Sequence, residues 1–218
     1  MRFAFNLAFA GSLTLMMMGV GAAQEAARVM NFDRVPLQNE YVTVNRDHVS
    51  CGQGERGRCE DRVILAMEDL TVRTTGRSIP LKRGQVAVIG VLESYEAPAQ
   101  GAFFEIIVKP GHPPVKSPPE IILPPKNLFV FENKEFFIYE ERLAMGDVRP
   151  RHSHSQRVEI RLSNGPMLHQ WVWRGAEVQE IDPGRVNWRE PAIHEVRNVG
   201  DAELRNFILE FLPANLAR

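Results

Sequence analysis

The stretch "PGHPPVKSPPEIILPP", residues 110–125, holds seven of the fifteen prolines in this 218-residue chain. Proline fixes φ and has no N–H to donate, so no helix and no central strand runs through it. It reads as a stiff, extended connector. With the first 23 residues set aside, 86 residues (24–109) precede the connector and 93 (126–218) follow it. The connector therefore divides the chain into two nearly equal halves.

Both parts are built from short alternating or apolar runs separated by turn residues, with no long 3.6-residue period. In the first, "EYVTV", "RVILAM", "GQVAVIGVL" and "AFFEIIV" read as strands. In the second, "EFFIYEERLAM", "RVEIRL", "MLHQWVW" and "RNFILEFL" do, with turns at "SNG", "DPG" and "NVGDA". Many short strands at this spacing imply an all-β sandwich or barrel. The runs also echo one another in order: "QNEYVTV" with "ENKEFFIY", "RVILAMED" with "RVEIRLSN", "RGQVAVIGVLES" with "NWREPAIHEVRN", and "GAFFEIIV" with "LRNFILEF". A period near 95 residues points to a duplicated domain, at 30–109 and 126–218.

Residues 1–23 stand outside the fold. Met1 and Arg2 lead into "FAFNLAFAGSLTLMMMGVGAA", which carries no charge before Glu25. "GAA" before Gln24 suits a signal peptidase, and the run is also long enough to be retained as a membrane anchor; both readings export the chain to the periplasm or beyond. Without Arg2, 25 basic residues face 27 acidic ones, a formal charge of −2. No basic stripe suggests nucleic acid, and only a retained anchor would involve a membrane. The expected partner is a small molecule, and the reading allows a homodimer. Cys51 and Cys59 are the only cysteines. In an oxidising compartment they are expected to form a disulfide, helped by Gly52, Gly54 and Gly57 between them.

The chemistry gathers in "GDVRPRHSHSQRVEIRLSNG", residues 146–165. On an extended strand His152 and His154 leave the same face. Glu159 follows five residues later and His194 forty residues after His154, with Pro191 placed to start its strand. Three imidazoles and a carboxylate suit a divalent transition metal: Fe, Mn, Cu, Ni or Zn. The alternation of Val158, Ile160 and Leu162 sends Glu159 outward with Arg157 and Arg161, unless a bulge between His154 and Val158 reverses the parity. Glu159 is thus a conditional fourth ligand. His169, in "MLHQWVW" beside Trp171 and Trp173, reads as a hydrogen-bonded wall residue, while His48 and His112 read as solvated. The tryptophans, Phe136 and Phe207 are first of all core material.

These motifs resemble those of the cupins. Gly146, five residues, His152-x-His154, four residues and Glu159 match the first cupin motif, with one residue fewer than usual before Gly165. "GRVNWREPAIHEVRN" resembles the second, with Gly184, Pro191, His194 and Asn198 in place and one glycine missing. The resemblance covers 127–212 directly and 36–109 only through the internal repeat. It implies two double-stranded β-helix jelly-rolls in tandem, a bicupin, with a metal inside the second. Aligning the halves sets Gly57, Cys59 and Gly90 where His152, His154 and His194 stand, so the first half is expected to be degenerate. The resemblance implies a metal-dependent enzyme on a small polar or aromatic molecule, with dioxygenase, isomerase and decarboxylase all open, since fold does not choose among them. Arg149, Arg151, Arg157 and Arg189 lie near the motifs as partners for a substrate carboxylate. The alternatives are a non-catalytic periplasmic binding or structural module, and surface histidines that take up metal adventitiously. A closed four-ligand site favours a structural role and an open three-ligand site favours catalysis, so Glu159 discriminates between them.

Overall fold

The computed structural model describes residues 35–46, 61–74, 76–90, 93, 95–96, 98, 100–122, 128–171 and 175–214. Residues 1–23, read as an export signal or anchor, together with His48, Gly57, Cys51 and Cys59, lie outside these residues. Among the described residues every regular element is a strand. The first half contains β1 (Leu37–Gln38), β2 (Val42–Asn45), β3 (Arg62–Ala66), β4 (Leu70–Thr74), β5 (Arg77–Leu81), β6 (Val86–Ile89), β7 (Tyr95–Glu96) and β8 (Phe103–Val108). The second contains β9 (Leu128–Glu132), β10 (Phe136–Leu143), β11 (Val148–His154), β12 (Arg157–Arg161) and β13 (Gly165–Trp171). It continues with β14 (Gly175–Ile181), β15 (Val186–Arg189), β16 (Ala192–Asn198) and β17 (Leu204–Phe211).

Each half pairs a larger sheet with a smaller one. In the first, the order β1-β2-β8-β3-β6 forms a core sheet and β5-β4-β7 a distal sheet. In the second, β15-β12-β17-β10-β9 is the core sheet and β11-β16-β13-β14 the distal sheet. All pairings are antiparallel. The proline-rich residues 110–122 form no strand, but they are hydrogen-bonded along the second half. Ile122 O accepts from Ser153 N, Ile122 N donates to Ser153 Oγ, and Lys116 N donates to Gln156 Oε1.

The two core sheets share one hydrophobic layer. Val44, Val63, Leu65, Phe104 and Ile106 from the first half pack in one cluster with Phe136, Ile138, Val158, Ile160 and Leu209 from the second. Strands β3, β8 and β12 are therefore buried on both faces, as their unbroken burial shows. Polar ties cross the same interface: Arg46 donates to Gly184 O at 2.8 Å and Arg83 to Leu162 O at 2.8 Å. Tyr41 stacks on Trp188, and His112, read as solvated, packs against Tyr41 and Phe211 with ring centroids 5.2 Å from each. The connector turns back over this seam, which is why His112 is half-buried rather than fully solvated.

The repeat is visible in the backbone. Gly84 N bonds Ala66 O as Gly184 N bonds Arg161 O, and both glycines hold positive φ, 86° and 76°. β6 is thus the counterpart of β15, and β7, which pairs with β4, is the counterpart of β16, which pairs with β13. This corrects the alignment of Gly90 with His194. The hairpin spanning 165–181 is five residues longer than the one spanning 70–81, which takes the offset between the halves from 95 at Ala66 and Arg161 to 100 at Gly84 and Gly184, whereas setting Gly90 against His194 needs 104.

Candidate metal centre

The alternate residues of β12 explain what the second barrel contains. Val158 and Ile160 face the first half, so Arg157, Glu159 and Arg161 face the space between the core and distal sheets of the second half. "Outward" on this strand means into the barrel, because the first half covers the other side. The first barrel carries Ile64 and Ala66 in the places of Glu159 and Arg161. They pack with Leu70, Val72, Leu81, Ala87, Ile89 and Phe103 into a dry filling. One template thus gives a mainly apolar interior with a buried Arg62–Glu105 ion pair in the first half, and a cluster of charges in the second.

On the distal sheet, β11 and β16 pair with a register shift between Arg149 and His152. That one-residue bulge at Pro150 and Arg151 turns Arg149, His152 and His154 to the same face. His152 lies directly across from His194, and His194 directly across from Trp171 on β13, a row over three strands. The ring nitrogens of His152, His154 and His194 lie within 4.8 Å of one another, and all three rings are buried. His152 Nε2 and His194 Nε2 are 3.1 Å apart.

Each ring is oriented from behind. His152 donates Nδ1–H to Pro150 O at 2.7 Å, which leaves Nε2 as a lone pair facing His194. His154 Nδ1 donates to Glu210 Oε2 at 2.8 Å. Glu210 is itself held by Ser155 N at 2.7 Å and by the Tyr139 hydroxyl at 2.9 Å. Burial dominates the protonation of all three rings. It lowers His152 to about 4 and lowers His154 and His194 well below 6.5, with Arg157 pushing the last two the same way. They are neutral imidazoles at neutral pH, the form that donates a lone pair to a cation.

This set fits a divalent ion. Two nitrogens bound at about 2.1 Å and right angles to one ion stand roughly 3 Å apart, the spacing His152 and His194 already have. The carboxylate behind His154 is the usual outer partner of a metal-bound imidazole.

No protein-family model and no curated protein matches the chain by sequence. Solved structures do match its fold. A cupin 2 conserved barrel domain protein from Leptotrichia buccalis aligns with a TM-score of 0.51 at 11% identity, over 81% of this chain and 86% of that one. Oxalate decarboxylase from Bacillus subtilis, described with Mn(II) centres, aligns at 0.52 and 13% identity, over 79% and 69%. A mutant of the salicylate 1,2-dioxygenase of Pseudoaminobacter salicylatoxidans aligns at 0.52 and 8% identity, over 78% and 70%. Alignments this long take in both halves.

The chain has the bicupin fold.

Within this bicupin the motif residues divide into two kinds. Gly146, Gly184 and Asn198 shape turns: Asn198 donates its side-chain amide to Leu143 O and Ala202 O, tying β10 to the β16–β17 corner. The three histidines converge, and Glu159 does not join them. Its Oε1 accepts from Arg157 at 2.9–3.0 Å, and its Oε2 faces Arg189 at 2.9 Å and Arg161 at 3.3 Å. Although burial opposes its charge, the three guanidinium groups hold this carboxyl well below its ordinary range. It faces inward with no bulge between His154 and Val158, and arginines occupy both its oxygens.

His169 also differs from its reading. Neither ring nitrogen has a hydrogen-bond partner among the described residues, although the side chain is buried. Its ring stacks on Trp171 at 5.2 Å and lies 5.4 Å from His194. Residues not singled out in the sequence are Tyr139, Glu141, Asn206 and Glu210. For Asn206 and Glu210 the signal was present, because they alternate with Phe207, Leu209 and Phe211 along a stretch of β17 that is buried from Asn206 to Phe211.

Proposed function

We propose that the second barrel holds one divalent transition metal on His152, His154 and His194 and works as a metal-dependent enzyme on a small molecule. An oxygenase or isomerase is the reaction class favoured. The observation that carries this reading is the ligand set itself: three buried neutral imidazoles face one point, with Glu159 held apart by arginines. Three protein ligands leave positions open, the arrangement of catalytic rather than closed structural sites. When bound, the ion supplies Lewis acidity and, for iron, manganese or copper, one-electron chemistry.

The chain's own residues do the rest. Glu210 keeps Nδ1 of His154 protonated and its Nε2 turned toward the cluster, with Tyr139 and Ser155 fixing the carboxylate. Arg149 and Glu141, both buried and 2.6 Å apart, set a fixed ion pair behind His152. A pocket of about 410 Å³ adjoins the site between β12 and β16, with Trp171 as the shared wall. Its size suits a small organic ligand. We further propose export, with the mature chain beginning at Gln24.

Metal analysis of protein purified without a histidine tag tests the reading. About one equivalent per chain is expected, with none in the His152→Ala/His154→Ala double variant. A wild-type chain that folds and carries no metal at neutral pH, even after incubation with Mn²⁺ or Fe²⁺, overturns it.

A further inference from the structure

Four arginines lie near the histidine motifs, and the structure separates them. Arg149 is taken by Glu141. Arg151 lies on the surface and pairs with Glu120 at 2.9 Å. Arg189 is shared between Glu159 and Gln179. Arg157 alone combines near-complete burial, 1% exposed, with an Nη1 that has no hydrogen-bond partner among the described residues. It also lines the pocket.

Arg157 Nη1 is one of several such groups. Trp171 Nε1, both ring nitrogens of His169 and His194 Nδ1 are likewise buried without a partner. These side chains surround one space: the Trp171 ring lies 5.2 Å from His169 and 4.9 Å from His194, and Trp171 and Arg157 both line the pocket. A buried donor left without an acceptor costs on the order of 1–3 kcal/mol, and more when charged. Most of these groups are donors, so what is missing is an acceptor. Arg161 and Arg189 both face Glu159 as well, which leaves Arg157 Nη1 as the buried guanidinium nitrogen of the three without a partner among the described residues.

The pocket walls describe the rest of the ligand. Trp171, Trp188, Pro191, Ala192 and Ile193 give them flat apolar faces, interleaved with the polar side chains of Arg157, Gln179 and Arg189. Two carboxylates stand at the mouth. Glu190 accepts from Trp188 Nε1 at 2.9 Å and from Lys116 at 3.2 Å, and Glu177 is exposed.

We propose that this space takes a small carboxylate with a flat apolar body, its oxygens held by Arg157 Nη1 and Trp171 Nε1 and its body lying along the tryptophan walls beside the three histidines. Arg157 is then the residue that selects an anion. The inference deepens the metal-enzyme reading by naming the substrate class of the same site, and it stands on groups outside the ligand set.

The test titrates benzoate and its neutral isostere benzamide into the full chain, following heat and tryptophan fluorescence, first in chelator and then with Mn²⁺ restored. Benzoate is expected to bind at least about tenfold tighter than benzamide in both states. Arg157→Gln should remove that preference. Trp171→Phe keeps the ring and deletes the donor, and should weaken benzoate about fivefold. Equal binding of the two probes overturns the proposal. So does an Arg157→Gln protein that keeps the preference or, should that variant not fold, a Trp171→Phe protein with unchanged benzoate affinity. A chain that takes up no metal yet prefers benzoate defeats the metal reading alone. A metal-loaded chain without the preference defeats this inference alone.

Discussion

Truncating Phe104 in the first half should destabilise the second half by the same amount. Phe104 is 1% exposed on β8, lies in the hydrophobic layer shared by the two core sheets, and carries the Arg46 guanidinium 4.7 Å from its ring centroid. Removing a buried phenyl ring from a packed layer costs about 3–5 kcal/mol. That is a large part of the roughly 5–15 kcal/mol that holds an ordinary domain folded. All three tryptophans (Trp171, Trp173 and Trp188) belong to the second half, with Trp188 at the seam on Tyr41, so fluorescence follows the second half and its contact with the first while far-ultraviolet circular dichroism reports on both. With a urea m value of about 2–3 kcal/mol/M for a chain of this size, Phe104→Ala should lower both midpoints together by about 1–2 M. An unmoved tryptophan transition, with an early separate step in circular dichroism, would refute the claim that the shared layer couples the halves.

Four further outcomes are expected. Glu159→Gln leaves three arginines around a neutral group and should cost about 3 kcal/mol or more in thermal or urea unfolding, with metal content unchanged in the folded protein; loss of metal would make Glu159 a ligand after all. Glu210→Gln should weaken metal binding about 10- to 100-fold in a competition titration, because it loosens His154; unchanged affinity removes Glu210 from that role. In chelator, stability should fall as pH drops from 6.5 toward 4. His152 and His169 stay neutral when folded down to about 4 but charge from 6.5 when unfolded, each contributing up to about 3 kcal/mol that is present at pH 7 and lost on acidification; a flat urea midpoint over that window contradicts it. Non-reducing peptide mapping of exported protein should join Cys51 to Cys59 in a nine-residue loop worth about 2–3 kcal/mol, and recovery of two alkylatable thiols would exclude the bond.

The strands that bury a face announced themselves and those that do not stayed silent. "RVILAM", "AFFEIIV" and "RNFILEFL" became β3, β8 and β17 with their ends within about a residue, since both faces of these strands are covered and their side chains show it. β14, "GAEVQEI", gave no signal, because it edges the distal sheet with its described side chains largely exposed, so no pattern is imposed on it. The histidines were legible from spacing and motif. The fate of Glu159 was not, because alternation tells which side of a strand a residue takes and not what waits there. Only the stacking of the two core sheets turns that polar side inward, and only Arg189, thirty residues on, completes its arginine cage. Likewise the offset between the repeats was sound at β3 and β12 and again at β8 and β17, and failed only just after the longer hairpin, where Gly90 was set against His194.

The layer between the core sheets also bears on concentration. A lone second barrel would present Phe136, Ile138, Val158, Ile160 and Leu209 to water, an apolar face that would drive it onto a second molecule at a rate set by dilution. Here the covering partner is tethered by the connector, so it is supplied at an effective concentration on the order of millimolar whatever the protein's abundance. A chain restricted to residues 126–218 would therefore self-associate or aggregate, whereas the full chain can work when it is scarce. The first half, whose described interior is mainly apolar, thus has a physical reason to keep its shape.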